Sequence, residues 1–308
     1  MAHKIEVAAP RFETRAERGS PEARETVLKE TKQLLASMAD QKNDLIVLSE
    51  GVGAVSQTPD QAENLKDPGP VISLYQEFAV QLNCYIVGSA KRREEDKIYN
   101  SAIFIEPGGN IVGAYDKVFL TEGELESGLT PGAGPRVFKT SLGRLGAMIC
   151  FDLNFDTLRN AYAAKEPDIL AFPSMFNGGI LQAKWAVNCQ CFVVSAMQVE
   201  GGGIMDPFGR FIAKTHCYTS VARATINLDY ALVHLDNHQE KLKSLQRNLG
   251  KHITVDIPPN IGRVMIVNNT REHDLDDLLR QYEIERVNDY LNRLRETNDT
   301  ARPGGPFA

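Results

Sequence analysis

A thiol, a carboxylate and an amine each follow a short apolar run in this chain. Cys150 closes Leu145-Gly146-Ala147-Met148-Ile149 and opens the polar turn Phe151-Asp152-Leu153-Asn154. Glu50 closes Leu45-Ile46-Val47-Leu48-Ser49, and Lys117 comes two positions after Ile111-Val112-Gly113-Ala114-Tyr115. A short apolar run that ends in a turn reads as a buried strand whose next residues emerge at a sheet edge, where open α/β sheets place their chemistry. The three together form a candidate catalytic set. A thiol with a reference pKa near 8.5 needs a base to react at neutral pH, a carboxylate can take and return its proton, and an ammonium can hold a developing oxyanion. Each residue alone has a plainer reading, as a solvated charge or a small core side chain. Their shared context is what singles them out.

Ser49-Glu50-Gly51, Tyr115-Asp116-Lys117-Val118 and Gly143-Arg144-Leu145-Gly146-Ala147-Met148-Ile149-Cys150-Phe151-Asp152, in that order, resemble the nitrilase (carbon-nitrogen hydrolase) superfamily and its Glu-Lys-Cys triad. Further matches are Tyr99-Asn100-Ser101-Ala102, Glu126-Ser127 before Pro131-Gly132, Phe172-Pro173-Ser174 and Asp206-Pro207-Phe208-Gly209-Arg210. The resemblance runs from the first strand to about Asp229. It implies an α/β fold, a four-layer αββα sandwich of mixed sheets covered by helices. It also implies a thioester on Cys150, released by water that Glu50 activates.

In the resembling family a second glutamate between the lysine and the cysteine orients the lysine and the substrate. Glu126 matches that position best, and Glu122 and Glu124 read as a solvated acidic loop. The amide of Phe151 is the natural second oxyanion donor. Asn154 stands in the substrate-facing turn where many amidase-like and carbamoylase-like members carry Arg, which argues against a carboxylate-bearing substrate. Phe119 replaces a common His two positions after the lysine, and Trp185 reads as core. The expected reaction is hydrolysis of a small amide or N-carbamoyl compound with release of ammonia or amine. Nitrile hydrolysis, or acyl transfer or ligand binding by a relative that keeps the triad, is the alternative.

Competing motifs are weaker. Gly51-Val52-Gly53 after a strand imitates a dinucleotide fingerprint but lacks its third glycine. His234 and His238, four apart, read as a solvated helix end, and no ligand cluster points to a metal. No cofactor is expected. No Gly-x-Ser-x-Gly elbow is present.

With 308 residues, 43% hydrophobic and 24% charged, the chain can bury a large core. The net charge of −6, with Lys and Arg interspersed, favours neither nucleic acid nor an anionic membrane. Five cysteines, no apolar stretch of membrane-spanning length and no signal-like start lead to the expectation of a cytoplasmic enzyme with free thiols.

The elements that must position these residues alternate. Strands are expected at Lys4 to Ala9, Asp44 to Leu48 and Tyr85 to Ala90, with helices from Ser20-Pro21-Glu22 and from Pro70 to Leu82. Gly51 to Gly69 reads as loop. Tyr99 to Ile105 and Ile111 to Tyr115 flank a Pro-Gly-Gly-Asn turn as antiparallel neighbours. Beyond Cys150 the pattern gives a helix near Thr157 to Lys165, a strand Ile169 to Phe172, a helix Leu181 to Asn188, a strand Cys191 to Gln198, a hairpin over Ile204 to Thr215 and a strand Val221 to Leu228. The expected division is a catalytic domain over residues 1–229 and an extension over 230–308. The extension reads as a charged helix to Leu249, two short strands and one helix from Leu275 to Glu296. In the resembling family such tails often reach across a partner subunit, so the extension is expected to pack on its own domain or on the partner in a homodimer or higher homo-oligomer.

Overall fold

The computed structural model describes residues 3–259, 261–303 and 305–306. Its elements run β1 (Lys4–Pro10), α1 (Ala23–Ala36), β2 (Leu45–Val47), α2 (Gly51–Ser56), α3 (Pro70–Leu82), β3 (Tyr85–Glu94), β4 (Lys97–Ile105), β5 (Ile111–Asp116) and α4 (Glu122–Glu126). Then come β6 (Val137–Thr140), β7 (Gly143–Ala147), α5 (Asp156–Ala163), β8 (Ile169–Ser174), α6 (Ile180–Cys189), β9 (Phe192–Met197), β10 (Gly203–Met205), β11 (Phe211–Lys214) and β12 (Val221–Asn227). Two six-stranded mixed sheets result, ordered β12-β1-β2-β3-β4-β5 and β11-β10-β9-β8-β7-β6. The chain falls into two compact units, one of Ile5–Ile226 and a smaller one of residues 3–4 with 227–306.

In the larger unit the physical reasons for the fold are local. Helix α1 buries Ala23, Val27, Thr31 and Leu35, spaced four residues apart so that they share the face a helix lays on a sheet. Helix α3 begins at Pro70, whose missing N–H costs nothing at a first helical position, and ends at Asn83 in the left-handed region. The two helices and the strands of the first sheet share one apolar cluster that includes Val27, Leu35, Ile46, Phe78, Ile86 and Ile103. The parallel pairs β1–β2, β2–β3, β7–β8 and β8–β9 lie at the sheet centres. Of their strands, β2, β8 and β9 are buried throughout and read as near-continuous apolar runs. Trp185 is fully buried and donates its indole N–H to the Leu153 carbonyl at 3.0 Å, as a core tryptophan should.

Residues 51–56, expected as loop, form helix α2 instead. Two glycines in six residues disfavour a helix by propensity, but packing overrides that here. A Cβ on Gly53 would lie 2.8 Å from the Ala90 Cα and from the Ser89 carbonyl, so only glycine lets this helix press against β3. Gly53, one of the glycines that imitated a nucleotide fingerprint, thus serves helix–strand packing.

The smaller unit differs from expectation in two places. Residues 230–234, expected as the start of a charged helix, form β13 (Tyr230–His234) before α7 (Gln239–Leu249). With β14 (Ile253–Asp256) and β15 (Arg263–Asn268) it makes an antiparallel sheet ordered β13-β15-β14, so pairing decided what a five-residue pattern could not. The expected helix from Leu275 to Glu296 is two, α8 (Leu275–Gln281) and α9 (Val287–Ala301). The break comes where Glu283 adopts a φ of 51° and Ile284 turns into the apolar cluster with Leu275, Leu278 and Leu279. Among the described residues no helix is long and apolar enough to cross a membrane.

Candidate active site

Glu50, Lys117 and Cys150 arrive from the C-terminal ends of β2, β5 and β7. Each end is fixed by its own bonds. Asp116, the last residue of β5, takes a two-pronged ion pair from Arg92 at 3.0 and 2.7 Å and a hydrogen bond from Ser101 at 2.6 Å. Lys117 then donates its backbone N–H to the Asn100 carbonyl and accepts from the Gly132 N–H, both at 2.8 Å. A Cβ on Gly132 would lie 2.1 Å from the Asp116 carbonyl, so this crossing demands glycine. At Glu50, the Ser89 hydroxyl donates to the Ser49 and Glu50 carbonyls at 3.1 and 2.9 Å.

Cys150 sits at the start of a 3-10 turn with φ 44°, a left-handed conformation that costs a non-glycine residue about 1–2 kcal/mol. Asp152 holds the turn there. Its fully buried carboxylate accepts the Ile149 N–H at 2.9 Å, the Phe119 N–H at 2.9 Å and the Tyr115 hydroxyl at 2.7 Å. One side chain therefore ties the cysteine turn to the strand that delivers the lysine. Burial pushes the Asp152 carboxyl up to about 6, and the Ile149, Phe119 and Tyr115 donors oppose that rise.

The Lys117 side chain is 1% exposed, which only pairing makes tolerable for an ammonium. Its Nζ lies 3.0 Å from Glu50 Oε1 and 3.1 and 2.9 Å from the two oxygens of Glu124. Burial works against its charge, but Glu50 and Glu124 outweigh burial and hold the lysine well above its ordinary pKa. The Asn100 amide bridges the carboxylates, donating to Glu50 Oε1 at 2.9 Å and to Glu124 Oε1 at 2.7 Å. The Met175 N–H donates to Glu50 Oε2 at 3.2 Å. Around Lys117 two negative charges thus face one positive charge, and the nearby thiol stays protonated. Burial first, then Glu50, push Cys150 up to about 11, with Lys117, Ser174 and the Met175 N–H easing it only in part.

Two expectations meet a different geometry. The glutamate beside the lysine is Glu124, whereas Glu126 is exposed. The cause is the cap of α4: Thr121 is the N-cap, its hydroxyl accepts the Glu124 N–H, and the Glu124 carboxylate folds back onto the Thr121 N–H at 2.9 Å. Residues two apart on a helix do not share a face, so Glu126 points elsewhere. The signature Thr-x-x-Glu was readable in the sequence. Asn154 is exposed and turns its amide back to the Phe151 carbonyl at 3.0 Å, so it closes its own turn. The Phe151 side chain is exposed and meets Phe155 edge-on at 5.5 Å, while Phe119 stacks on Phe155 at 3.6 Å. Asn100, Ser174 and Met175 were within or beside quoted motifs, but nothing in the sequence showed what they would touch.

The arrangement can move a proton from a thiol to a carboxylate while an ammonium stays charged beside both. Several known proteins are similar to this chain. A human protein named deaminated glutathione amidase is 26% identical over 248 residues, covering 67% of this chain and 74% of its own. A zebrafish (Danio rerio) omega-amidase is 27% identical over 191 residues, covering 54% and 69%. Among solved structures, Saccharomyces cerevisiae Nit3, a nitrilase-superfamily member, superposes with a TM-score of 0.64 at 21% identity over 81% of this chain and 95% of its own. An amidase from Nesterenkonia sp. gives 0.61 at 19% identity over 80% and 96%. The carbon-nitrogen hydrolase family model matches residues 14–232, well over half of the chain, and this protein therefore belongs to the carbon-nitrogen hydrolase family.

Proposed function

We propose that this enzyme hydrolyses a small uncharged amide through a thioester on Cys150. The observation that carries the reading is the buried Lys117 ammonium, held between Glu50 and Glu124 near a thiol that burial and Glu50 push up to about 11. Glu50 takes the thiol proton as sulfur attacks the carbonyl carbon. The transfer moves no net charge into or out of the site, because a neutral thiol and a carboxylate become a thiolate and a neutral acid. Lys117 and the Phe151 N–H stabilise the oxyanion, each donor worth about 3 kcal/mol. Glu50 returns its proton to the leaving amine and then activates the water that cleaves the thioester. Asn154, engaged with its own turn, offers no cationic clamp for a substrate carboxylate, and the Phe119–Phe155–Phe151 cluster adds apolar surface beside the cysteine turn. Both features favour a neutral acyl group.

Screening short neutral amides, their ω-carboxylate counterparts, nitriles and N-carbamoyl compounds for ammonia release tests this, with mass spectrometry of the quenched enzyme to find the acyl adduct. Neutral amides are expected to turn over fastest and to leave an acyl group on the peptide that contains Cys150. Turnover without any adduct on that peptide, or a preference for the carboxylates, would count against the proposal.

Glu124 is proposed as the residue that positions Lys117. Glu124→Gln keeps the shape but removes one of the two charges that hold the ammonium. Its kcat is expected to fall by roughly 10²-fold, with the alkaline limb of the pH–rate profile moved to lower pH. Glu126→Gln should leave rate and profile unchanged. Equal losses in both variants would return the role to Glu126.

A further inference from the structure

In the smaller unit, His252 immediately precedes β14, while Glu272 and His273 lie in the segment between β15 and α8. Pairing of β14 with β15 places Ile253 opposite Asn268 and so brings residues distant in sequence to one end of the sheet. The Asn269 N–H donates to the His252 carbonyl at 2.9 Å. Asn268, fully buried, donates its amide to the His273 carbonyl and to Asp229, both at 2.8 Å. The backbone on both sides is therefore held in place independently of the side chains.

Those side chains converge. One ligating atom from each of His252, Glu272 and His273 lies within 4.8 Å of the other two. The imidazole rings of His252 and His273 meet edge-on at 6.0 Å. His252 Nδ1 is buried and has no hydrogen-bond partner among the described residues, with the nearest Glu272 oxygen at 3.6 Å. An unsatisfied buried nitrogen carries a desolvation cost that a ligand would remove. Glu272 is 70% exposed and free to turn toward it.

We propose that His252, Glu272 and His273 bind a zinc-class divalent cation, with water in the fourth position. Two imidazoles and one carboxylate form a donor set that zinc accepts, at about 2.0–2.2 Å from each atom, and one that the oxygen-seeking magnesium and calcium ions do not favour. Ligand atoms on one ion must then stand no more than about 4 Å apart, so binding would draw the two imidazoles together as well as turn the Glu272 side chain inward. The ion would cross-link the entry of β14 to the segment before α8 and so brace the small sheet. Sequence reading could not find the cluster, because its histidines belong to neither a short His-x-His nor a His-x₃-His pattern.

The test is zinc titration of the untagged, EDTA-treated full-length protein by calorimetry, with cobalt(II) absorption as the second readout. One equivalent is expected to bind at micromolar affinity or better, to raise the thermal midpoint, and to give cobalt bands without the intense thiolate charge transfer. His252→Ala and His273→Ala should each weaken binding at least tenfold, and the exposed Glu272→Gln, which the fold does not need, about tenfold. Cys150→Ala should bind as the wild type does. Zinc uptake unchanged in all three ligand variants, loss of uptake in Cys150→Ala, or no uptake by the wild-type protein would each overturn the proposal.

Discussion

Replacing Cys150 with Ala is expected to lower kcat/KM toward any amide the enzyme hydrolyses by a factor on the order of 10⁶, the scale at which loss of a nucleophile is felt when the rest of its site remains. The substitution leaves the surroundings in place for identifiable reasons. Alanine tolerates φ 44° neither better nor worse than cysteine, and the Asp152 bonds that hold the turn involve the Ile149 and Phe119 backbone and the Tyr115 hydroxyl, none of which changes. Substrate should therefore still bind, and the variant should release no ammonia and carry no acyl group. The measurement is steady-state ammonia release together with intact-protein mass after rapid quench. A variant that keeps more than a thousandth of the wild-type rate would remove the thioester from the mechanism.

The distribution of what was legible follows from the range of the interactions. The delivery of Glu50, Lys117 and Cys150 from strand ends was readable because an apolar run ending in a polar turn is a local pattern. The antiparallel neighbours β4 and β5 were readable for the same reason. Helix α2 was not, because its glycines are explained only by the approach of β3, some forty residues along the chain. Nor was β13, whose partner β15 lies thirty residues on. Which glutamate pairs with Lys117 was a local matter after all. The capping signature from Thr121 to Glu124 outweighs family spacing, because the cap aims the carboxylate and spacing does not. Asn100 lies between these cases: its motif was visible, but its role as a bridge between Glu50 and Glu124 exists only once β4 and α4 are assembled.

Glu50→Gln should separate the two consequences of a carboxylate beside a thiol. In the proposed mechanism Glu50 accepts the proton in acylation and activates water in deacylation, so amide hydrolysis is expected to fall by at least about 10³-fold, near the upper range for general acid–base catalysis. As a charge, Glu50 disfavours the thiolate, and after burial it is the largest cause of the Cys150 thiol being pushed up to about 11. Glutamine keeps the size and most of the hydrogen bonding but removes that repulsion, while the Lys117 ammonium remains beside the sulfur. The sign follows directly: the folded-state pKa of Cys150 falls, and more thiolate is present at any pH between neutrality and that value. Alkylation of Cys150 by iodoacetamide, followed against pH, should therefore show its rise at lower pH in Glu50→Gln than in the wild-type enzyme, even as amide turnover nearly vanishes. Peptide mapping restricts the readout to Cys150, since the exposed Cys217 also reacts. A merely structural role for Glu50 would slow both reactions together, and an alkylation profile that moves to higher pH would mean that Glu50 stabilises the thiolate and that the charge argument has the wrong sign.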